Sequence, residues 1–66
     1  MKTTIKVYVP SCSEWFTAAT INFLPMPQML DIIVDKIVDA YCEDSMAGVS
    51  KAKVIVDGKV YKTIEY

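Results

Sequence analysis

The residues of this sequence that could carry chemistry are carboxylates that recur at a fixed spacing. Asp31, Asp35, Asp39 and Glu43 are each four residues apart, and Asp44 follows directly. On an α-helix, residues four apart lie one above the other with a rise of about 6 Å. We call Asp31, Asp35, Asp39 and Glu43 the acidic ladder. It would present a row of negative charge along one rigid element.

Catalysis is not indicated by the remaining composition. The chain has no histidine, no arginine and only two glycines, so a phosphate-binding glycine loop is excluded. A nucleophile would have to be Cys12, Cys42 or a serine, and none has a general base beside it in the sequence. The carboxylates next to Cys42 disfavour the reactive thiolate. We therefore predict that the protein is not an enzyme, and a thiol-redox protein is only a third hypothesis.

Neither a metal site nor a cofactor is predicted. The acidic ladder offers oxygen ligands, but a straight helix places them in a row and not around a point. Cys12 and Cys42 lack the spacing of a metal motif, and there is no histidine to complete one. Two cysteines are too few for a disulfide scaffold, so we expect reduced thiols, with a single disulfide as the alternative.

Charge is distributed unevenly, although the formal net charge at pH 7 is only −1. Residues 28–46 contain five acidic residues against Lys36 alone, whereas the segments on either side are mildly basic. No apolar run approaches the ~18 residues needed to cross a membrane. Because the first residues alternate instead of forming a signal peptide, we expect a cytoplasmic protein without a membrane partner.

A half-buried strand is predicted at residues 3–9, where apolar and polar side chains alternate. The alternation places three apolar side chains on the face toward a core, namely Ile5, Val7 and Val9. Pro10 and the polar residues that follow it then predict a connection to the next element.

Residues 14–24 allow two interpretations. Ser11 and Glu14 fit a capping box that would open a short helix. The content of β-branched and aromatic residues instead favours a second strand, which would form a hairpin with the first. We favour the strand. Its predicted inner row consists of Trp15, Thr17, Ala19, Ile21 and Phe23.

The clearest helix signal runs from Pro27 to about Asp44. Proline suits the first turn of a helix, and apolar residues then recur at three- and four-residue spacing. This apolar stripe consists of Leu30, Ile33, Val34, Ile37 and Tyr41, with Val38 at its margin. Gly48 is predicted to end the helix. The acidic ladder winds across the face opposite the stripe and should therefore be exposed.

A hairpin is predicted near the C-terminal end, where Asp57-Gly58 separates two alternating runs. A two-residue loop would pair Ile55 with Val60 and would mix the two faces. We prefer a three-residue loop with Gly58 at a left-handed bulge position, which pairs Val54 with Val60. The predicted inner row is then Ala52, Val54, Val56, Val60 and Ile64.

Together the elements predict a single α+β domain over residues 1–66. Its apolar rows are buried most simply when one helix packs on one face of a four-stranded mixed or antiparallel sheet, in the order ββαββ. The hydrophobic content of 53% supports a real core. A chain this short buries only about 60% of its unfolded surface, so we expect modest stability.

The acidic ladder is arranged against the stability of its own helix. Like charges four residues apart destabilise by about 0.2–0.5 kcal/mol per pair, and Glu43 and Asp44 lie at the negative end of the helix dipole. Lys36 is the only cation on the helix, and lysines on the strands would reach an outward face poorly. The ordinary interpretation is a solvated face. Ile32, which projects between Asp39 and Glu43, instead suits an apolar anchor within an acidic binding surface.

Two resemblances bear on these patterns. The element order over the whole chain resembles the small immunoglobulin-binding domains of streptococcal proteins and, more loosely, the β-grasp class. The small size, the lack of catalytic residues and the helix DIIVDKIVDAYCED resemble phage-encoded anti-CRISPR proteins. Several of those act as DNA mimics that block recognition of target DNA or of the protospacer-adjacent motif. This second resemblance implies a non-enzymatic inhibitor in the cytoplasm of a host cell.

The leading hypothesis is an inhibitor that docks its acidic helix into a positively charged nucleic-acid-binding site of a partner, such as a CRISPR effector subunit. Carboxylates ~6 Å apart approximate every second phosphate of a DNA strand, whose rise is about 3.4 Å. The predicted contacts are Asp31, Asp35, Asp39 and Glu43, supported by Asp44 and Ile32. The alternative is a β-grasp-like protein-interaction module that uses a strand edge or the helix flank.

Direct binding to nucleic acid is not predicted, because the acidic ladder is negatively charged and would repel the phosphates of duplex DNA. A basic outer sheet face would suit a single strand better. It would consist of Lys6, Lys53, Lys59, Tyr8 and Tyr61. Lysines at outer strand positions, however, are common as edge protection. We therefore expect a monomer whose partner is a basic protein.

Overall fold

The computed structural model describes residues 2–66 as one sheet with one helix packed on it. The elements are β1 (Thr3–Val9), β2 (Glu14–Ile21), α1 (Pro27–Ser45), β3 (Lys51–Val56) and β4 (Lys59–Glu65). The strand order is β2-β1-β3-β4, and every neighbouring pair is antiparallel. The predicted α+β fold, with one helix, four strands and the order ββαββ, is confirmed.

The strand order differs from the β-grasp arrangement that the order of elements resembles. In a β-grasp sheet the first and last strands lie side by side and parallel. Here β1 pairs antiparallel with β3, and β4 forms an edge. α1 therefore connects β2 to β3, two parallel strands that lie on either side of β1.

The core lies between α1 and the inner face of the sheet. Its buried members come from β1, β3 and the helix, and they are Ile5, Val7, Leu30, Val34, Val38, Ala52 and Val54. The predicted alternation of β1 is confirmed, since its three inward apolar side chains are at most 1% exposed. Successive side chains of a strand point to opposite faces, and α1, the one helix among residues 2–66, covers only the inner face of the sheet.

The predicted helix is confirmed, but its apolar stripe is rotated from the predicted position. Val38, predicted at the margin, is buried, whereas Ile33, Ile37 and Tyr41 are only half-buried. The fully buried row is Leu30, Val34 and Val38. These residues are four apart and stack along one narrow seam that faces the middle of the sheet.

The helix ends earlier than Gly48, so the predicted stop is wrong. Met46 follows the last helical residue in the left-handed conformation, with φ 55° and ψ 26°. The hydroxyl of Ser45 donates to the carbonyl of Tyr41 at 2.6 Å and accepts from the amide of Ala47 at 3.3 Å. A serine side chain thus satisfies backbone groups at the helix end.

α1, the one helix among residues 2–66, has no apolar stretch long enough to cross a membrane.

The strand interpretation of residues 14–24 is confirmed for Glu14–Ile21, but the predicted inner row is partly wrong. The pairing of β1 with β2 shifts between Ile5 and Lys6, so that Ala18 is an extra residue in a β-bulge. The bulge reverses the alternation within the strand. Phe16 therefore faces the core together with Ala19.

Three members of the predicted inner row lie elsewhere. Trp15 is paired with Tyr8, and Thr17 is paired with Lys6, so both project from the outer face of the sheet. Phe23 lies beyond the end of β2 and is 59% exposed. The prediction failed because a strict period of two was extended through a bulge.

The hairpin between β3 and β4 has the two-residue loop, so the predicted three-residue loop is wrong. Asp57 and Gly58 have φ values of 50° and 86°, which is the left-handed pair that a type I′ turn requires. Ile55 therefore pairs with Val60, and the register shifts immediately beyond, so that Val54 pairs with Lys62.

This shift decides which side chains of β4 reach the helix. Val60, predicted to be in the inner row, is 59% exposed. Tyr61 is the extra residue of the bulge, and the strand then directs Lys62 and Ile64 toward the side that α1 covers, opposite Val54 and Ala52. The remaining predicted inner residues, Ala52, Val54, Val56 and Ile64, do contribute to the core.

Candidate functional site

The acidic ladder lies on the exposed surface of α1, as predicted. Its four members and their two predicted supporters are all exposed, namely Asp31, Asp35, Asp39, Glu43, Asp44 and Ile32. Four residues of an α-helix turn about 400°, so successive members of the ladder advance by ~40° around the axis. The ladder therefore begins on the flank of α1 beside β4 and ends on the side away from the sheet.

The first member of the ladder is held by an ion pair. Nζ of Lys62 donates to Oδ1 of Asp31 at 2.6 Å. The side chains are 41% and 57% exposed, so solvent screens the attraction and the pair contributes only ~0–1 kcal/mol. The prediction that strand lysines reach the helix poorly is wrong for Lys62, because the bulge in β4 turns it toward α1.

The second member of the ladder is held by the last residue of the chain. The hydroxyl of Tyr66 donates to Oδ1 of Asp35 at 2.8 Å. Partial burial raises the pKa of the Tyr66 phenol well above its ordinary value, and so do this hydrogen bond and the negative charges of Asp35, Asp39 and Asp31. Burial is the largest of these causes, and the negative charges of the helix act in the same direction.

The acidic residues beyond Asp35 are free of such contacts. Within residues 2–66, no side chain forms an ion pair or a hydrogen bond with the carboxylates of Asp39, Glu43 or Asp44. The last turn of α1 contains no basic residue. We call Asp39, Glu43 and Asp44 the free acidic end of the helix. It is the part of the predicted site that remains available to a partner.

Apolar side chains lie exposed near the other end of the same helix. Ile32 is 49% exposed and Met29 is 46% exposed. They are three residues apart, which places them on one side of α1. Met26 and Phe23 precede them and are also exposed. The prediction singled out Ile32 alone. Met29 was missed, although its spacing of three residues from Ile32 could have indicated it.

A groove separates α1 from the edge strand β2. It is lined by Ala18, Ala19, Ile37, Ala40, Tyr41, Asp44 and Ser45. Its lining is mainly apolar, and both β2 and α1 contribute alanines to it. This groove is the helix flank and strand edge that the alternative hypothesis requires.

The two cysteines differ in exposure. Cys12 is exposed, Cys42 is half-buried, and both are free thiols. Over residues 2–66, no group of three or more cysteine, aspartate or glutamate side chains is arranged to hold a metal ion.

The face of the sheet opposite α1 carries an unexpected cluster of rings and lysines. The rings of Tyr8 and Trp15 meet edge to face with centroids 5.3 Å apart. Nζ of Lys51 lies 4.9 Å from the centroid of Tyr8, and Nζ of Lys53 lies 4.1 Å from that of Trp15. Both distances are within the cation–π range.

The sequence interpretation assigned Tyr8 and Lys53 to this outer face but missed Trp15 and Lys51. The outer position of Trp15 could have been predicted from the strand register at the turn between β1 and β2. Val9 and Glu14 face each other across that turn, so Trp15 must lie opposite Tyr8. Counting from the turn, instead of along β2, gives the correct face for Trp15.

Comparison with known proteins gives no further guide to the site. No family model matches the chain, and neither curated proteins nor solved structures show a significant similarity to it.

Proposed function

We propose that this protein is a non-enzymatic inhibitor that docks the exposed face of α1 into a positively charged nucleic-acid-binding site of a partner protein. It acts by occupying that site. The observation that carries the proposal is the free acidic end of the helix, where three carboxylates form no ion pair within residues 2–66 and the last turn has no basic residue. Together with the exposed Met29 and Ile32, it combines negative charge with apolar anchors on one helix.

The electrostatic arrangement supports binding over stability. Glu43 and Asp44 lie in the last turn, where each carboxylate opposes the helix dipole by about 0.3–1 kcal/mol. Asp39 is four residues from Glu43, and this like-charge pair adds about 0.2–0.5 kcal/mol of destabilisation. A cationic groove on a partner would relieve both effects at once. It would also attract the free acidic end over a distance and accelerate association.

The apolar residues on α1 favour a protein partner. Ile32 and Met29 would be desolvated in a complex, and methionine adapts its shape to irregular surfaces. Buried apolar anchors surrounded by charged rims are typical of protein interfaces. A nucleic acid would be repelled by the carboxylates.

The contacts of Lys62 and Tyr66 support different roles for the two halves of the ladder. Asp31 and Asp35 already have partners within the chain, so a cation of another protein must compete with them. No such competition within the chain exists at Asp39, Glu43 and Asp44. We therefore assign the main contact to the free acidic end, with Asp31 and Asp35 in a supporting position.

The resemblance to anti-CRISPR proteins suggests the class of partner. A subunit of a CRISPR surveillance complex that reads target DNA or its protospacer-adjacent motif presents a lysine- and arginine-rich groove of the required sign. A phage-encoded protein of this kind would act in the cytoplasm of the infected cell. The physical requirement is broader, since any groove that binds nucleic-acid phosphates offers the same charge.

The proposal is tested by capturing partners with two matched double variants. Asp39→Lys with Glu43→Lys reverses the charge of the free acidic end. Glu14→Lys with Glu65→Lys makes the same change in net charge at exposed positions outside α1. We expect nucleic-acid-binding proteins to be retained from lysate at low salt by the unchanged chain and by the second variant, and to be lost with the first.

The identity of the contact is then established with the purified partner. Its affinity should fall steeply as salt rises, because exposed charges are screened within about 10 Å at 0.1 M ionic strength. Equal retention by both double variants would remove the free acidic end from the interface. Retention of proteins with no basic groove would remove the proposed mode of action.

The second candidate function is a protein-interaction module that uses the groove between α1 and β2. The observation in its favour is the apolar lining of that groove at an edge strand. A long side chain at Ala40, which is exposed and lines the groove, would obstruct it. In this case Ala40→Arg abolishes capture, the reversal of Asp39 and Glu43 does not, and affinity depends little on salt.

A further inference from the structure

We propose that the outer face of the sheet binds single-stranded nucleic acid, through base stacking on Trp15 and Tyr8 and phosphate contacts to Lys6, Lys51 and Lys53. This face lies on the side of the sheet opposite α1, so the site is separate from the acidic helix of the proposed function. It also departs from the sequence-based expectation of no direct nucleic-acid contact.

The aromatic pair is positioned as a stacking surface. Trp15 lies on β2 and Tyr8 on the neighbouring strand β1, directly opposite each other in register. Both are half-buried, so each is anchored on the sheet while part of it remains accessible. Aromatic side chains on an open four-stranded sheet stack two or three bases in RNA-binding modules. Stacking tolerates any sequence because every base has a flat face.

The three lysines form a positive cluster beside the rings, with Glu65 opposite Lys51 in the register of β3 and β4. Lys6 and Lys53 are directly opposite in the antiparallel pair of β1 and β3, an arrangement of like charges that destabilises a sheet. Lys51 lies two residues from Lys53 on the same face. Within residues 2–66, no carboxylate forms an ion pair with any of the three. A bound phosphate would supply the missing negative charge.

A groove extends the positive cluster along the sheet. It begins at Lys6 and is also lined by Lys2, Thr4, Ile55, Asp57 and Gly58. The one carboxylate in it, that of Asp57, already accepts from the backbone amide of Lys2 at 3.0 Å. From Tyr8 to Thr4 the strand covers about 13 Å, the length of roughly four stacked nucleotides at a rise of 3.4 Å.

The aromatic side chains favour a nucleic acid over a second copy of the chain. The acidic ladder of another copy would also complement Lys6, Lys51 and Lys53. Such a contact joins two different surfaces and would propagate from copy to copy. It would not require partly accessible rings beside the lysines, whereas base stacking does.

The chain contains a single tryptophan, so its fluorescence reports on this face alone. The experiment titrates the full-length protein at low salt with an unstructured single strand of about 12 nucleotides, within the range that such sites cover. We expect quenching of Trp15 and an affinity that falls roughly 20-fold between about 50 and 200 mM salt, as three phosphate contacts on a single strand predict.

Variants of the face separate charge from stacking. Lys6→Gln with Lys53→Gln should weaken binding and reduce its salt dependence, whereas Lys36→Gln, one substitution of the same type on α1, should leave binding unaltered. Trp15→Ala should weaken binding of a labelled strand at least about fivefold, and Trp15→Phe should restore most of it. The thermal unfolding of each variant shows whether the fold is retained.

Three outcomes would overturn the proposal. The first is no binding of the single strand at low salt. The second is equal binding of heparin and the oligonucleotide together with full affinity in Trp15→Ala, which would show a general anion surface without stacking. The third is concentration-dependent association of the protein alone that disappears in Lys6→Gln with Lys53→Gln, which would assign the face to a second copy. None of these outcomes bears on partner capture by Asp39 and Glu43.

Discussion

Tyr66 and Asp35 join the last residue of the chain to the middle of the acidic ladder through a 2.8 Å hydrogen bond. The bond exists because the bulge in β4 returns the final residues of the strand to the side covered by α1. A carboxylate predicted to be free for a partner is thereby partly used within the fold.

The first prediction concerns alkaline stability. Folding raises the pKa of the Tyr66 phenol above its ordinary value of 10.0. As pH rises above 10, the phenol of the unfolded chain is therefore deprotonated before the phenol of the folded chain. The stability from this group is fully present below pH 10 and decreases as pH rises further. Tyr66→Phe should therefore unfold with a weaker dependence on pH above 10 than the unchanged chain. Identical pH profiles in urea denaturation would contradict the linkage.

The second prediction concerns the ion pair of Lys62 and Asp31. A double-mutant cycle with Lys62→Met and Asp31→Asn should give a coupling free energy of about 0.2–1 kcal/mol at low salt, because both side chains are substantially exposed. The coupling should shrink toward zero in 1 M salt, where the screening length is about 3 Å. A coupling that persists unchanged in high salt would mean that the pair is shielded from solvent.

The third prediction concerns Thr3, whose side chain is fully buried in the sheet. Its hydroxyl has no hydrogen-bond partner among residues 2–66. Thr3→Val keeps the shape and removes the unsatisfied group, so it should raise the free energy of unfolding by about 1–3 kcal/mol. Thr4→Val, on the half-exposed outer side of the same strand, is the matched control and should change it far less. Destabilisation by Thr3→Val would show that the hydroxyl is satisfied in solution.

The fourth prediction separates stability from binding at the helix end. Glu43→Gln removes a charge that opposes the helix dipole and repels Asp39, so it should stabilise the fold by about 0.3–1 kcal/mol at low salt. The same variant should bind the partner more weakly. Glu14→Gln supplies the matched control outside α1 and should leave partner affinity unchanged. A loss of stability in Glu43→Gln would refute the electrostatic account of the helix.

The sequence predicts the elements of this fold better than it predicts their faces. Apolar residues recur at three- and four-residue spacing in α1 and at alternate positions in β1. The helix and the strand that these patterns predict are both confirmed. The failure at Trp15 arises from the bulge that reverses the alternation of β2. The failure at Val60 arises from the two-residue turn, which pairs Val60 with Ile55 on the outer side before the bulge of β4. The position of a bulge depends on pairing between strands, which a period read along one strand does not contain.

The candidate site was predicted in the same partial way. Exposure of Asp39 and Glu43 follows from their position opposite the apolar stripe. The partners of Asp31 and Asp35 could not be predicted from the helix pattern, because Lys62 and Tyr66 are 31 residues away in sequence. Only the register of β4 brings them to the helix. The division of the ladder into bound and free halves is therefore a property of the tertiary structure.

The central claim is that α1 occupies a nucleic-acid-binding site. It is tested most directly by measuring the affinity of the protein for its purified partner at increasing concentrations of the duplex DNA that the partner binds. We predict competition, with an apparent dissociation constant that rises in proportion to the DNA concentration. The Lys6→Gln, Lys53→Gln variant should give the same result, since the outer sheet face is not involved. A stable ternary complex, with unchanged affinity at saturating DNA, would contradict the claim.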